Sequence, residues 1–506
     1  MFRVFKKKKE TPKSNSRSFN GAKMGRLTAG WSTSITTSDE ELRRSLKILR
    51  ARSRELAQNN DYVERFLEFS KTNIVGNNGI KLQARIIAKE ENGKKIYDKV
   101  ANDKIESAWE EWGKTENCCV DGTLSWIDVQ DLVIESVFRD GEVLVRKIKG
   151  KNSQNKFYFA LQILEADHLD EEFHKMLPDG NYIKMGIEFN EWNRPVAYHL
   201  FRKHPGEYSY YGQSGANDRI RVPAEEIIHL FKPKRASQSR GYPKLSTAMT
   251  RLNMLGGYEE AELTAARVSA CKMGFYVKED GTISEDPEGE VDADGSLITE
   301  AEPGIFETLP AGTKFESWDP QHPNSSFGSF VKSMKQSIAS GVGMIYPALA
   351  GDLEGVNYSS IRQGNLWDRD TWRRWQTWLI EHLHQKIYEE FLLMAMTSEK
   401  IGLPIIKIKK FNKVYWQPRG WQWVDPLKEV TANALAIEKG LKTAQDVAAE
   451  QGKDIEEVYA QLAAERGLRD QYGVKVAEEG IKVILNTEDE EENVKTSKKG
   501  KRKFSS

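Results

Sequence analysis

Cysteine is scarce: Cys118, Cys119 and Cys271 are the three in 506 residues. Two of them are neighbours, which rarely bridge one another, and three thiols make no disulfide framework. No C-x-x-C pair or His/Cys cluster has zinc-site spacing, and such cysteine use suits a reducing, cytoplasmic place of assembly. Long apolar runs are missing too. Stretches such as Phe391–Met396 fall far short of the roughly 20 residues that cross a bilayer, so no membrane partner is expected. The opening Met1-Phe2-Arg3-Val4-Phe5 runs into Lys6–Lys9 without an apolar core and does not read as a signal peptide. Net charge is absent: 75 basic residues balance 75 acidic ones. That excludes a protein that coats nucleic acid by neutralising phosphates, but not one that surrounds a duplex without gripping it.

The motifs of common chemistries are absent as well. No G-x-x-x-x-G-K-[ST] loop is available to cradle nucleotide phosphates, and Gly341-x-Gly343 lacks the third glycine of a dinucleotide loop. There is no G-x-S-x-G elbow. Eight histidines are scattered, and His382 and His384 lie two apart, on different faces of a helix. The sequence therefore predicts no catalytic residue, no metal site and no cofactor. What is present is a chain 39% hydrophobic and 30% charged, soluble and long enough for two to four domains.

Residues 1–37 are basic, with nine Lys/Arg up to Arg26 against the single acid Glu10, and carry no periodicity. They read as a disordered tail or as an arm touching DNA or an acidic partner. Residues 471–506 mirror them, acidic from Glu488 to Glu492 and then basic from Lys495 to Lys503. Order begins at Ser38, where Glu41 completes a capping box and Leu42, Leu46 and Leu49 follow at helical spacing. A second helix runs through Phe66 and Phe69 to the turn Gly76–Gly79, with a strand at Ile80, Leu82 and Ala84. A helix from Ile127 to Val137 precedes Asp140-Gly141, a hairpin signal. Strands are predicted at Phe157–Leu164, Ile183–Phe189, Ala197–Phe201 and Ile227–Phe231. Residues 38–240 thus read as one α+β domain.

Gly241-Tyr242-Pro243 opens a long helix to about Lys272, and Glu279–Glu302 then holds ten acids and no base. Strands are predicted around that run, at Gly274–Val277 and Gly304–Leu309, and later at Ile405–Phe411 and Trp416–Trp423. Helices close the chain at Pro426–Lys439 and Thr443–Arg466. Between them the most telling stretch starts with a helix whose Phe327, Phe330, Met334 and Ile338 share a face flanked by Lys332 and Lys335. Residues 341–360 contain four glycines and a proline, which cannot continue a helix at about 1 and 3 kcal/mol each. The loop Met344–Asn357 has two acids, Asp352 and Glu354, and no Lys or Arg stands between Lys335 and Arg362. A loop without cations offers phosphates little salt-dependent grip. Seven of 13 tryptophans follow, from Trp367 to Trp423. Trp367, Trp375 and Trp378 share a helix face at about 100° per residue, a packing seam rather than a base-stacking surface. Gly364 is the expected kink.

The run Ser325–Phe391, with Ala51–Asn60, the turn Val75-Gly76-Asn77-Asn78-Gly79 and Asn357-Tyr358-Ser359-Ser360-Ile361-Arg362, resembles the lambda-type portal proteins of tailed bacteriophages. The likeness extends over roughly Ser38–Arg466. It implies an α+β, multidomain, ring-forming portal fold. Its parts would be a wing (38–240), a first stem helix (241–272), a β-rich clip (273–323) and a second stem helix (324–343). A channel loop (344–358), a long kinked helix (359–397), wing return strands (398–425) and crown helices (426–470) complete it. The resemblance implies a dodecamer at one capsid vertex, in the virion after assembly in a bacterial cytoplasm, through which double-stranded DNA enters and leaves.

Partners would be further copies of the chain, double-stranded DNA, the terminase large subunit, the major capsid protein with its scaffold, and head–tail adaptors. On that reading the loop residues Met344, Ile345, Tyr346, Ala348, Gly351, Asp352, Leu353, Glu354, Gly355, Val356 and Asn357 face the DNA channel. Lys332 and Lys335 form basic belts on its wall, and Glu285, Asp286, Glu288, Glu290, Asp292 and Asp294 present an acidic docking rim for terminase or adaptor. The rival reading is a metal-dependent nuclease or a terminase-like DNA-processing enzyme.

Overall fold

The computed structural model describes residues 22, 25–91, 94–207, 218–270, 326–421 and 426–472, with strand pieces at 274–278, 290–291, 297–298 and 313–317. Two compact units divide the chain, Met1–Trp416 and Gln417–Ser506. Both predicted tails lie largely outside the described residues. Within those residues no helix is long and apolar enough to cross a membrane.

The first unit starts with helices α1 (Ser38–Asn59) and α2 (Asp61–Ile74). The α1 cap is Thr37, whose hydroxyl accepts from the Glu40 amide, one residue before the expected box. Leu42 and Leu46 then fall on the buried side, as their spacing requires. Gly76 and Gly79 take positive φ at the predicted turn. After it come β1 (Lys81–Ala84), the hairpin β2 (Ile87–Glu91) and β3 (Lys94–Tyr97), α3 (Lys99–Trp112) and α4 (Trp126–Arg139).

The predicted hairpin at Asp140-Gly141 is a helix-to-strand turn instead. Asp140 caps α4 and Gly141, at φ 94°, leads into β4 (Glu142–Lys149). A Cβ on Gly141 would stand 2.2 Å from the Tyr242 carbonyl carbon, and one on Gly241 would stand 2.1 Å from the Gly141 oxygen. The two glycines therefore permit a backbone crossing that no side chain allows.

Strand β4 is the centre of an antiparallel three-stranded sheet between β5 (Phe159–Leu164) and, by chain order, the later β11 (Ile227–Phe231). A second antiparallel sheet is built from β6 (Lys175–Met176), β7 (Tyr182–Lys184), β8 (Ile187–Phe189), β9 (Pro195–Phe201) and β10 (Arg219–Pro223) in sequential order. The single strand predicted over 183–189 is broken at Met185-Gly186, both at positive φ.

Under these sheets lies an ionic core. Glu142, 1% exposed, accepts from Arg240 Nε at 2.8 Å, His229 Nε2 at 2.9 Å and the Gly241 amide at 2.8 Å. Arg50 of α1 reaches the same carboxylate and pairs with Asp167 and Glu171. Burial alone would raise the Glu142 acid, but the arginines and His229 outweigh it and hold the carboxyl well below its usual range.

Helix α5 (Met249–Ala270) follows, and the strand pieces β12 (Gly274–Lys278) and β15 (Thr313–Ser317) pair antiparallel, as do β13 (Glu290–Val291) and β14 (Leu297–Ile298). The strand expected at Gly304–Leu309 lies outside the described residues. Helix α6 (Phe327–Val342), the short α7 (Tyr346–Ala350) and α8 (Tyr358–Leu379) come next. A π-helical turn at Ile380–His384 then joins α8 to α9 (Gln385–Thr397).

Gly364 is not the interruption. It sits inside α8 with Ile345 Cδ1 3.2 Å from where its Cβ would be, so it lets the loop approach the helix. The irregularity is the π turn, which buries His384 against Gln130. The aromatic seam also differs in membership. Trp367 is 64% exposed, and Trp372, Trp375 and Trp378 are the buried ones, with Trp375 on Phe138 and Trp372 edge-on to Phe69. A second aromatic cluster joins Trp109 and Trp112 to Trp126, Phe391 and Trp416.

The strand predicted at Ile405–Phe411 is helical, a 3-10 turn at Ile405–Lys407 and an α-turn at Ile408–Phe411. Its apolar residues recur every three positions, which suits a helix, and only Phe411 is buried among them. Strand β16 (Val414–Gln417) pairs with β1. The second unit contains α10 (Pro426–Glu438), close to its predicted helix, and α11 (Ala444–Glu450) and α12 (Ile455–Tyr472), where the single helix predicted over Thr443–Arg466 is broken at 451–454.

Candidate functional site: the 344–357 connection and its supports

Helix α6 stops where glycine allows it. Gly343 takes φ 79° and returns its amide to the Ala339 carbonyl. The Ile345 amide then meets Asp368 Oδ2 of α8 at 3.4 Å. Burial pushes the Asp368 acid up to about 6, against the pull of that amide. Pro347 lies in the first turn of α7, where its missing N–H costs nothing, and Gly351 at φ 67° ends the helix.

Side chains from distant parts of the chain hold this connection and the lysines beside it. Arg65 Nε of α2 donates to the Ala348 carbonyl at 2.7 Å. Tyr346 donates its hydroxyl to Asp352 at 2.6 Å, and Lys332 Nζ lies 3.4 Å from the same carboxylate. Those contacts, with the Tyr346 bond foremost and the Glu354 amide next, lower the Asp352 acid. Burial and then Asp352 itself raise the Tyr346 phenol to about 12. Beside them Lys335 Nζ is 3.3 Å from Glu259 of α5 and 4.9 Å above the Tyr62 ring, and Tyr62 donates to Glu259. Burial lowers the Lys335 amine, but Tyr62 and Glu259 reverse it and leave it raised.

Lys332 and Lys335 are thus engaged with the connection and with α5. The buried face is shifted from the one expected and shares only Ile338 with it: Val331, Ile338, Ala339 and Val342 are buried, while Phe327 lies tilted and Phe330 edge-on against Tyr258 and Phe330 stays 48% exposed. Met344 is buried, so it anchors the connection instead of facing a channel. Ile345, Tyr346, Ala348, Asp352 and Val356 are half-buried. The exposed tip is Gly351, Leu353, Glu354, Gly355 and Asn357, with Leu353 65% exposed. Tyr62, Arg65, Glu259 and Asp368 had no local signal in the sequence, because each acts on a segment roughly twenty to nearly three hundred positions away.

Of the acidic rim, Glu285, Asp286, Glu288, Asp292 and Asp294 lie outside the described residues, and Glu290 is described only as backbone of β13. Glu165, Asp167 and His204 are close enough to hold a metal ion. Their carboxylates are already taken, Asp167 by Arg50 and Arg54, and Glu165 by Arg54 and His204.

The sequence pattern described as phage portal protein, lambda family, matches residues 24–376. The chain belongs to that family. A probable portal protein of Halomonas phage phiHAP-1 is 32% identical over 488 residues, 94% of this chain and 92% of the relative. Portal protein B of Escherichia phage lambda is 21% identical over 502 residues, 90% of each chain. Among solved structures, the neck of a native GTA particle computed with C12 symmetry is 10% identical with a TM-score of 0.38, covering 79% of this chain and 93% of that one. A chain of the virion of the native gene transfer agent particle is 12% identical with a TM-score of 0.40, covering 80% and 92%. As a portal protein the chain is a structural part of the virion and not an enzyme. The family match takes in the whole 344–357 connection, its supports Arg65, Lys332 and Asp368, and Lys335 with Tyr62 and Glu259.

Proposed function

We propose that twelve copies form a ring at one capsid vertex, with the 344–357 tips at the rim of a central channel for double-stranded DNA. The observation that carries this is the construction of the connection. Its base is fixed by Arg65, Asp368 and Lys332, and its exposed tip bears no cation, only Glu354 among charged side chains. A duplex passing such tips finds hydrogen-bonding and apolar surface without the counterion release that would arrest it.

Exposed apolar side chains on α5 and α8 support the ring: Met254 is 68% exposed, Leu263 64% and Trp367 64%. On a lone chain they would be left in water, and a neighbouring copy would cover them. Residues 273–323 serve as the outward docking segment, where a terminase during packaging and head–tail adaptors afterwards would meet the acidic run Glu279–Glu302. The major capsid protein and scaffold would hold the ring's outer side.

Native mass spectrometry with electron-microscope class averages tests the reading. Twelve chains of 57.7 kDa, about 692 kDa, in a ring with an open centre are expected. A small species at high concentration that cleaves DNA with Mg²⁺ would overturn it in favour of the nuclease.

A further inference from the structure

One cavity, beside the end of α6 where Lys244 Nζ approaches Gly343, involves neither the residues of the 344–357 connection nor the ionic core. It has a volume of about 280 Å³ and lies where the chain leaves β11 and crosses Gly141, opposite the middle of α8. Lys232, Lys234 and Lys244 line it on one side, Arg374 on the other, and Tyr242 and Trp375 form its apolar walls. No carboxylate is among its lining residues. Within the described residues none of the four cations forms an ion pair with an acid, although nearby Arg235 and Arg240 are both paired, with Glu41 and Glu142.

Aromatic faces hold two of the cations in place. Lys232 Nζ lies 4.1 Å from the centre of the Trp375 ring and Lys234 Nζ 4.6 Å from that of Tyr242. Lys232 and Lys244 are half-buried in the walls, while Lys234 and Arg374 stand exposed at the rim. The cations are also near enough to disfavour one another. Burial, then Lys234 and Lys232, lower the Lys244 amine, and burial, then Arg374, lower that of Lys232. In a chain whose 75 bases match its 75 acids, four clustered cations without a counter-charge call for an external anion.

We propose that this cavity is a binding site for a phosphate group, with Lys232, Lys244 and Arg374 as its main ligands. Phosphate fits better than a carboxylate because it carries up to two negative charges and several acceptor oxygens for a ring of donors. The volume, near the lower end of the roughly 300–1,000 Å³ of organic-ligand pockets, leaves room for one phosphate group with its water. The group can come from free inorganic phosphate or from a nucleic-acid backbone, and the experiment distinguishes the two.

Full-length protein is titrated with inorganic phosphate by calorimetry and thermal unfolding, with chloride at equal ionic strength as the control. Wild type is expected to bind and to unfold at a temperature that rises with phosphate. Lys244→Gln and Arg374→Gln should each weaken binding on the order of tenfold. Arg374 is at the rim, so its variant keeps the test valid if Lys244→Gln folds poorly. The same variants are then tested with a labelled 20-base-pair duplex. Duplex binding that weakens in parallel and is displaced by phosphate assigns the site to the nucleic-acid backbone, whereas unchanged duplex binding assigns it to the free anion. No heat or shift beyond the chloride control, or equal phosphate binding by wild type and both variants, overturns the proposal.

Discussion

Gly141 and Gly241 let two backbone segments touch, and the carboxylate of Glu142 next to them is ligated by groups from α1, β11 and the chain after it. Gly141→Ala forces a Cβ to within 2.4 Å of three Tyr242 backbone atoms at a φ of 94°. A loss on the order of 4 kcal/mol or more is expected, read as a collapse of the urea midpoint. His384 offers a pH test. Its Nε2 donates to Gln130 Oε1 at 3.0 Å, an oxygen that also accepts the Ile80 amide. Burial holds the ring neutral, with its pKa lowered to about 3. The unfolded chain takes up that proton near 6.5, so the contribution of His384 is complete above 6.5 and is lost as pH falls towards 3. At pH 5 the cost is about 2 kcal/mol. Stability measured from pH 7.5 to 5 should therefore fall more steeply in wild type than in His384→Gln, and parallel slopes would refute the assignment. Neither contact was legible in the sequence. Asp140-Gly141 had the form of a hairpin turn, and only the crossing of residues a hundred positions later shows why the glycine is there.

Among elements, period and capping were readable and long-range supports were not. Leu42 and Leu46 placed α1, and Gly76 and Gly79 the turn after α2, because those signals act within a few residues. Residues 405–411 were misread since a short apolar run fits a strand as well as a helical turn. In the 344–357 connection the sequence showed the break but not that it folds into α7, whose Leu349 is 1% exposed. Met344 likewise turned out to be an anchor, and Trp372 took the place of Trp367 in the aromatic seam. Arg65 is exposed and makes one bond to the connection. Arg65→Ala should accordingly leave the melting temperature nearly unchanged and loosen α7 by about 1 kcal/mol. Hydrogen exchange at the amides of 348–350 checks this, with roughly fivefold faster exchange expected there and none in α4.

For the whole molecule, order and texture over several hundred residues carried more than any motif, and the family match over 24–376 agrees with them. Sequence alone does not display which apolar side chains the fold leaves outside: Met254, Leu263 and Trp367 read as ordinary helix residues, yet all three are exposed. The ring reading also predicts a shallow salt dependence for duplex passing the tips. Gly355→Lys adds one cation per copy at an exposed position whose φ of 68° a lysine tolerates poorly, so Leu353→Lys is the better choice. Leu353→Lys should steepen the dependence of log affinity on log salt by about 0.9 for each new phosphate contact, and an unchanged slope would place the tips away from DNA. The tie from Arg65 to Ala348 spans 283 positions of the chain. In a genetic screen, second-site suppressors of defects within 344–357 should therefore arise near codons 62–65 and 332–335. A linkage map drawn without the fold would score these as unrelated loci.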